Sequence, residues 1–561
     1  MLVAERLHSN RAVNWVVALT LFLLIAPNWL LTRDFADGAV VNFARLIGSA
    51  DGLFAWLKDS NWFLVIAFYK VVFAFSDFTG VGYLFFSKFV LSVLLVALYI
   101  ECALWAQDVF KLPADQASFA ALLCVASPSL YTLANSTAVV NLLCIWLVFF
   151  GHRLYWSDKI PVRLAGLLLL VMSFQVNSNL VFALALEMVR LWRFKFQRKL
   201  WLLWFSGLLV AAVFVFLSIR IFSPPMQLFA QYNQFLNPFD SQDFLRMIRV
   251  IVMFLTWGII PLTAICAVVM ASFFSTNRLL SSQMGKTQAQ AQLGLILALV
   301  FLAGAAAFPY VAVGKGPPLF TPTAYGSGLT EQVFRAAYPG PIAPTWANTS
   351  TRHGFLFSIP VALMTWIAAV FMTQKLKMRW NSLRLFFLLL PLSLVWVLPA
   401  YGNKLQNQWA EISLLKGFQA VPPAKPGIVE LRYQPVSSWL IWTTSANVIL
   451  REAWGTSNHF GFFHSLDAYR DDLYWQYHIY FLDKGVLQSR LLQNSAAVDG
   501  FPGADCHTKY QGVWPAATLL QKTLAGWYPD SVPIASIQLL ESSCQVGRLL
   551  PNPTPAKKVI Y

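Results

Sequence analysis

The sequence predicts a polytopic α-helical membrane protein of about 11 transmembrane helices with a C-terminal extramembrane α/β domain. Two observations indicate this class. Apolar residues make up 58% of the 561 residues, whereas Asp, Glu, Lys and Arg make up only 12%, half of what a soluble domain carries. The apolar residues also fall into stretches of near 20, bounded by charges or turn residues. This composition excludes a disordered chain, a coiled coil and an ordinary soluble enzyme.

Eleven stretches are predicted to span the membrane, and two regions leave alternatives open. The pair at 162–178 and 179–192 forms either one long helix or two short ones, broken in the polar stretch 175–179. The stretch 62–77 is short and carries Lys70, so we interpret it as a helix at the membrane interface and not a twelfth span. The predicted spans are 13–31, 84–106, 117–132, 134–152, 162–178, 179–192, 200–222, 247–274, 291–312, 354–374 and 385–401.

The distribution of basic residues predicts the orientation. The 41 Lys and Arg exceed the 25 Asp and Glu by 16, which on a soluble protein would suggest nucleic acid. With a cytoplasmic N-terminus, roughly 17 basic residues fall in short inside segments and roughly 9 in longer outside loops. The excess therefore records topology, and no nucleic-acid partner is expected. Residues 32–83, 223–246, 313–353 and 402–561 are placed outside, in the periplasm if the membrane is a bacterial inner membrane.

Residues 1–401 form the predicted membrane domain and residues 402–561 the outside domain. Alternating patterns at 428–433 and 537–541 predict strands, 468–492 predicts a helix, and the Pro-rich 421–426 predicts a linker. Cys506 and Cys544 are a candidate disulfide, because an oxidising compartment favours pairing. Cys506-His507 lacks metal-ligand spacing, and no metal site is predicted.

The first candidate site follows the first span. Asp34 and Asp37 stand at i and i+3 in 32–38, so they can share one face of a helical turn. Next to an apolar cavity, one of them could act as a general base. The competing interpretation is that the two aspartates simply end a helix where it meets water. The segment 40–57 is amphipathic and could lie flat on the bilayer.

The second candidate site is the outside loop 313–353, which has the length of a binding loop or lid. Its basic residues suit a phosphate, although they could equally extend to lipid headgroups. Its aromatic residues could stack on a sugar or belong to the interfacial belt. The candidate binding residues are Lys315, Arg335, Arg352, His353, Tyr325 and Trp346.

Acidic residues within the spans bear on a transport function. Glu101 and Glu187 lie near the inside ends of their spans, and neither has an obvious charged partner at mid-membrane. A proton-coupled or ion-coupled transporter more typically carries such groups at the midplane. We also find no repeated half. Both observations count against transport.

This layout resembles the GT-C superfamily of polyprenyl-phosphate-dependent membrane glycosyltransferases. In that superfamily an acidic pair opens the first outside loop; Asp34 and Asp37 hold this place, although the usual pair is adjacent or nearly so. The segment 40–77 looks like its juxtamembrane helices, and Arg352-His353 holds the late-loop position that contacts lipid phosphate. The resemblance covers the layout of about 1–400.

The resemblance implies transfer of a sugar from a polyprenyl-phosphate-linked donor to a glycan, lipid or protein acceptor on the extracytoplasmic face. Asp34 or Asp37 would deprotonate the acceptor hydroxyl. Lys315, Arg335 or Arg352 would stabilise the leaving phosphate. The sequence requires no cofactor, and a divalent cation remains compatible with it.

Three other functions remain open from the sequence. One is a polysaccharide polymerase or ligase acting on undecaprenyl-diphosphate glycans, which would depend on Arg and His in the late loop. The others are a transporter or lipid flippase, and a membrane scaffold whose outside domain binds a partner. Loss of transfer on substitution of Asp34 would separate the proposed transferase from the polymerase or ligase. Substrate accumulation in vesicles without chemical change would support the transporter, and function of the outside domain on an unrelated anchor would support the scaffold.

Overall fold

The computed structural model describes the greater part of the chain, and the fold is stated for those residues alone. They are 11–34, 41, 45, 51, 54, 57–58, 62–126, 136, 138–194, 198–218, 235–257, 286–315, 354–375, 381–425, 427–433, 443–455, 459–465, 477–483, 486–492 and 506–544.

Twelve helices precede the first strand within these residues, and apolar side chains dominate most of them. They are α1 (Arg11–Leu30), α2 (Phe63–Thr79), α3 (Tyr83–Phe110), α4 (Ala114–Val125), α5 (Ala138–Tyr155), α6 (Ile160–Ser173), α7 (Asn177–Phe194), α8 (Arg198–Leu217), α9 (Ser241–Trp257), α10 (Lys286–Ala312), α11 (Phe355–Lys375) and α12 (Ser382–Gln419).

Five of the described helices are long and apolar enough to cross a membrane: α1, α3, α5, and residues 294–312 of α10 and 355–374 of α11. Shorter apolar stretches lie in α4, α6, α8 and α12. The chain is therefore a helical integral membrane protein. The region 162–192, which the sequence predicted as either one long helix or two short ones, forms two helices, because the first helix ends at Ser173. The Gln175 side chain at this break accepts a hydrogen bond from the Leu64 amide (2.8 Å).

The helix α2 coincides with the stretch interpreted as interfacial. Its buried residues are spaced as one stripe, Val65, Tyr69, Val72, Phe73 and Ser76, and its other side is exposed. Arg45 holds the end of α2, since its guanidinium lies 2.7 Å from Asp77 and 3.1 Å from the Ser76 hydroxyl.

Side-chain contacts fix which helix ends lie together. We call the end of the bundle where α1 ends and α3 and α5 begin the domain end, because the C-terminal domain also meets it. There Asp34, four residues after α1, contacts Tyr83 at the start of α3 and Ser136 just before α5. The far end holds the last turns of α5, where Arg153 meets Glu101 of α3.

Close backbone approach joins α5 and α6 near the far end. A Cβ atom on Gly166 would lie 2.7 Å from the Gly151 carbonyl oxygen and 2.8 Å from the Leu154 carbonyl carbon. Only glycine leaves room for this crossing, as expected where small residues let helices approach closely in membranes.

The helix α12 joins the membrane part to the C-terminal domain. Its 38 residues give a length of about 57 Å, roughly twice the hydrocarbon thickness of a bilayer. Residue 402, where the sequence suggested that the domain begins, lies within this helix. Leu414 and Phe418 near the end of α12 pack in one core with Val429, Leu431 and Tyr510.

The C-terminal domain combines a mixed sheet with short helices. β1 (Gly427–Tyr433), α13 (Thr443–Trp454) and β2 (His459–Ser465) form a parallel strand–helix–strand unit. β5 (Cys506–Val513) lies parallel to β1 on its other side, and β6 (Ser536–Cys544) is antiparallel to β5, with α14 (Leu519–Leu524) between them. The order is β2-β1-β5-β6. The strands predicted at 428–433 and 537–541 are confirmed as β1 and part of β6.

The helix predicted at 468–492 is wrong where the structure describes it. β3 (Tyr477–Asp483) and β4 (Val486–Leu492) form an antiparallel hairpin there. The segment begins Tyr-His-Ile-Tyr-Phe-Leu, and β-branched and aromatic residues of this kind favour strands. The disulfide candidate forms: Cys506 and Cys544 are paired residues of β5 and β6 with an S–S distance of 2.07 Å.

Candidate functional site

Asp34 lies at the centre of a buried polar cluster at the domain end. The Tyr83 hydroxyl donates to one carboxylate oxygen (3.2 Å), and the Ser136 amide donates to the other (3.1 Å). The Ser136 hydroxyl in turn lies 2.9 Å from the Tyr69 hydroxyl of α2. These contacts hold the carboxylate in one orientation. The interpretation that Asp34 merely ends a helix in water does not fit this burial.

Two lysines from different helices approach the same carboxylate. Lys88, in the second turn of α3, and Lys404 of α12 both interact electrostatically with Asp34. All three side chains are buried, with 4–6% of their surface exposed. Burial of charge is costly unless opposite charges are close. The arrangement therefore brings two basic groups near one carboxylate at the end of an apolar helix bundle.

A polar stripe on α12 explains how Lys404 reaches this position. Tyr401, Lys404, Gln408 and Glu411 are spaced three, four and three residues apart, so they share one face of the helix. The Tyr401 hydroxyl donates to the Asn28 side chain (2.7 Å), and the Gln408 amide group donates to the Leu30 carbonyl (2.9 Å). α12 thus runs beside the end of α1 with its polar face towards it.

The Gln408 side chain also organises the backbone that leads to Asp34. Its carbonyl oxygen accepts from the Thr32 amide (2.5 Å) and the Arg33 amide (3.1 Å). Both amides follow the end of α1, and Gln408 supplies their acceptor from another helix. The position of Asp34, one residue further on, is consequently tied to α12.

Arg33 connects the cluster to the C-terminal domain. Its guanidinium lies 3.1 Å from Glu411 of α12 and 2.8 Å from Glu452 of α13. Burial opposes the charge of Arg33, but the carboxylates of Glu452 and Glu411 outweigh it and hold the pKa above its ordinary value. Arg33 is therefore permanently charged and joins three parts of the chain next to Asp34.

The far end holds a second set of polar groups, in which Glu101 and Glu187 each have partners near the ends of their helices. Glu101 accepts two hydrogen bonds from Arg153, at 2.7 and 2.8 Å. Glu187 lies 3.0 Å from the His152 Nε2 atom and accepts a 2.6 Å hydrogen bond from the Trp156 indole. The sequence missed both pairs because their members come from different helices, α3 with α5 and α7 with α5.

Of the residues predicted to form the site, the structure describes Asp34 and Lys315. Lys315 follows α10, its amide bonded to the Tyr310 carbonyl (2.9 Å), where the Tyr310 hydroxyl meets Ser178 of α7 (3.1 Å). Asp34 lies between α1, α3 and α12, whereas Lys315 lies at the end of α10 next to α7. The remaining predicted residues lie outside the described part of the chain: Asp37, Tyr325, Arg335, Trp346, Arg352 and His353.

Sequence reasoning missed Lys88 and Lys404. A signal for Lys88 was present, since an ionisable residue inside an apolar helix is a functional candidate by default. Lys404 gave a weaker signal, because it follows the last predicted span and resembles the start of the outside domain. Among the described residues, no three His, Cys, Asp or Glu side chains are grouped so that they could hold a metal ion.

No family model matches the chain, and neither a curated protein nor a solved structure is similar to it.

Proposed function

We propose that the protein is a membrane glycosyltransferase of the GT-C type, which moves a sugar from a polyprenyl-phosphate-linked donor to an acceptor. One observation carries the proposal: a buried carboxylate and two buried lysines converge at the domain end of an apolar bundle. A lipid-linked sugar phosphate needs a cationic site at the membrane surface, and its transfer needs a base. The cluster offers both.

In the proposed reaction the acceptor hydroxyl oxygen attacks the anomeric carbon of the donor sugar. The bond between that carbon and the phosphate oxygen breaks, and the polyprenyl phosphate leaves with the electron pair. Asp34 takes the hydroxyl proton and later releases it to water. Lys88 and Lys404 stabilise the phosphate as its negative charge grows. Asp37, Lys315, Arg335, Arg352 and His353 remain candidates for further contacts with donor and acceptor.

The orientation belongs to the same proposal. We place the domain end on the extracytoplasmic face of a bacterial inner membrane, because the basic residues of short loops sort to the opposite face. Eleven helices cross the bilayer, and α2 lies at the interface. The C-terminal domain, tied to Asp34 through Arg33, would present the glycan, lipid or protein acceptor to the site.

The test uses the full chain in phospholipid vesicles with a panel of polyprenyl-phosphate hexoses radiolabelled in the sugar. Release of polyprenyl phosphate and label transfer to added acceptors are measured. Asp34→Asn is expected to lower transfer about 10²- to 10⁴-fold, the usual contribution of a general base. Lys404→Met is expected to lower it about 10²- to 10³-fold, as for loss of one group stabilising developing charge.

Matched controls come from the same chain. Asp77→Asn removes an exposed carboxylate on α2, and Lys416→Met removes a lysine on α12 that lies 3.5 Å from Asp530. Both are expected to keep wild-type transfer. A folded Asp34→Asn protein that transfers sugar at the wild-type rate would contradict the proposal, as would transport of the intact donor without chemical change.

A further inference from the structure

Large apolar side chains are exposed together on the C-terminal domain around α14. Leu519 and Leu520 form the first turn of this helix, and Trp527 and Tyr528 follow its end. Between 54% and 81% of each side chain is exposed. We call these four residues the α14 surface. No residue of α14 itself is buried. The start of the helix is nevertheless fixed by a capping box, in which the Thr518 side chain accepts from the Gln521 amide and the Gln521 side chain accepts from the Thr518 amide.

A hydrogen bond places the α14 surface at the level of the last turn of α1. The Trp527 indole donates to the carbonyl of Trp29 (2.9 Å), the residue before the last in α1. The Trp29 ring packs edge-on against Phe85 of α3 (5.1 Å between centroids). Phe85 is itself 46% exposed, on a side of α3 where Phe89 is exposed too. The α14 surface is therefore continuous with the exposed side of two predicted membrane-spanning helices.

Contacts with α12 also hold α14 and its flanking residues at the level where α1 ends. Lys522 of α14 lies over the Trp409 ring (5.0 Å), and the Trp514 indole donates to the Ala410 carbonyl (3.0 Å). A Cβ atom on Gly526 would lie 2.6 Å from the Gln408 side-chain nitrogen, which itself bonds Leu30. Residues 408–410 of α12 thus lie level with the end of α1, and the turn after α14 is packed closely against Gln408.

We propose that the α14 surface lies in the interfacial layer of the bilayer and binds phospholipid there. Trp and Tyr prefer the level of the headgroups, where the ring is apolar and the polar group stays wet. Leu519 and Leu520 would enter the upper acyl region, as the apolar side of an interfacial helix does. This contact holds the C-terminal domain flat on the membrane beside Asp34. It requires only that α1 and α3 span the bilayer, and not that the protein is a transferase.

The test places an environment-sensitive fluorophore on single cysteines in the full chain, reconstituted in phosphatidylcholine–phosphatidylglycerol vesicles. The labelled variants are Leu520→Cys and Tyr528→Cys, so that failure of one to fold leaves the other. The control is Leu540→Cys, an exposed leucine on β6. β6 meets α12 at Gly417, which lies about 13 Å further along the helix than Gln408. The background keeps Cys506 and Cys544 and replaces the other four cysteines of the sequence by alanine: Cys102, Cys124, Cys144 and Cys266.

The vesicles are prepared with and without lipid that carries a nitroxide quencher near the headgroup end of its acyl chain. Fluorescence at residues 520 and 528 is expected to fall when the quencher lipid is present, whereas fluorescence at residue 540 is expected to stay unchanged. Unquenched fluorescence at both 520 and 528 would overturn the proposal. Equal quenching at 540 would also overturn it, because the contact would then not be specific to the α14 surface.

Discussion

The two ends of the helix bundle both bury charged side chains, but they arrange them differently. At the far end Glu101 is paired with Arg153, and Glu187 contacts His152 and the Trp156 indole. At the domain end Lys88 and Lys404 both interact electrostatically with Asp34. The far-end contacts join α5 to its neighbours, whereas the domain-end cluster places two lysines near one aspartate.

This difference distinguishes buried polar groups that hold helices together from buried groups that are available for a chemical function. A carboxylate that contacts groups of neighbouring helices can hold those helices together, and its removal leaves buried donors without an acceptor. Two lysines beside one aspartate are expensive to bury and are not needed to neutralise it. Replacing such a lysine by an apolar residue should cost little stability and remove whatever the second cation does. The two ends should therefore respond to substitution with opposite patterns.

The largest effect on stability is expected at the far end. Glu187→Ala removes a fully buried carboxylate that contacts His152 and the Trp156 indole. We expect a loss of about 3 kcal/mol, because the Trp156 indole and the buried His152 ring lose their acceptor. The free energy of unfolding in mixed micelles with added SDS measures it. Glu101→Ala is the comparison: Arg153 is 32% exposed and can turn to solvent, so the expected loss is about 1 kcal/mol. Equal losses would break the argument from burial.

The next effect tests the packing of the far end without changing charge. Gly166→Ala places a methyl group against the Gly151 carbonyl and should cost about 1–3 kcal/mol through overpacking. Gly207→Ala in α8 serves as the control, because a Cβ atom there meets nothing within 4 Å. Both are measured by the same unfolding experiment. If the two alanines proved equally tolerated, the close approach of α5 and α6 would be refuted.

The smallest effect on stability is expected at the domain end. Lys88→Met keeps the side-chain volume and leaves Lys404 to neutralise Asp34. We expect stability to stay within about 1 kcal/mol of the wild type or to rise. Transfer activity in the assay with polyprenyl-phosphate hexoses should nevertheless be lost. A destabilisation as large as that of Glu187→Ala would show that Lys88 is a structural partner like those of the far end.

Sequence periodicity located the helices well where residues at the ends of the helix itself determine where it begins and ends. The span predicted at 84–106 corresponds to Tyr83–Phe110, and that at 134–152 to Ala138–Tyr155. Charges and turn residues mark these limits, because an apolar membrane helix ends where such residues meet the water boundary. The same reasoning failed at 477–492, where a hairpin replaces the predicted helix, since a short mixed pattern does not distinguish the two periods.

By itself the sequence determined that this is a helical membrane protein and that Asp34 directly follows its first span, because composition and the length of apolar stretches are local properties. Only the tertiary structure decided which groups surround Asp34. Lys404 lies 370 residues away, and it reaches the carboxylate because α12 continues past its apolar part and aligns its polar stripe with the end of α1. Such an alignment depends on the packing of whole helices, which no local pattern of residues records.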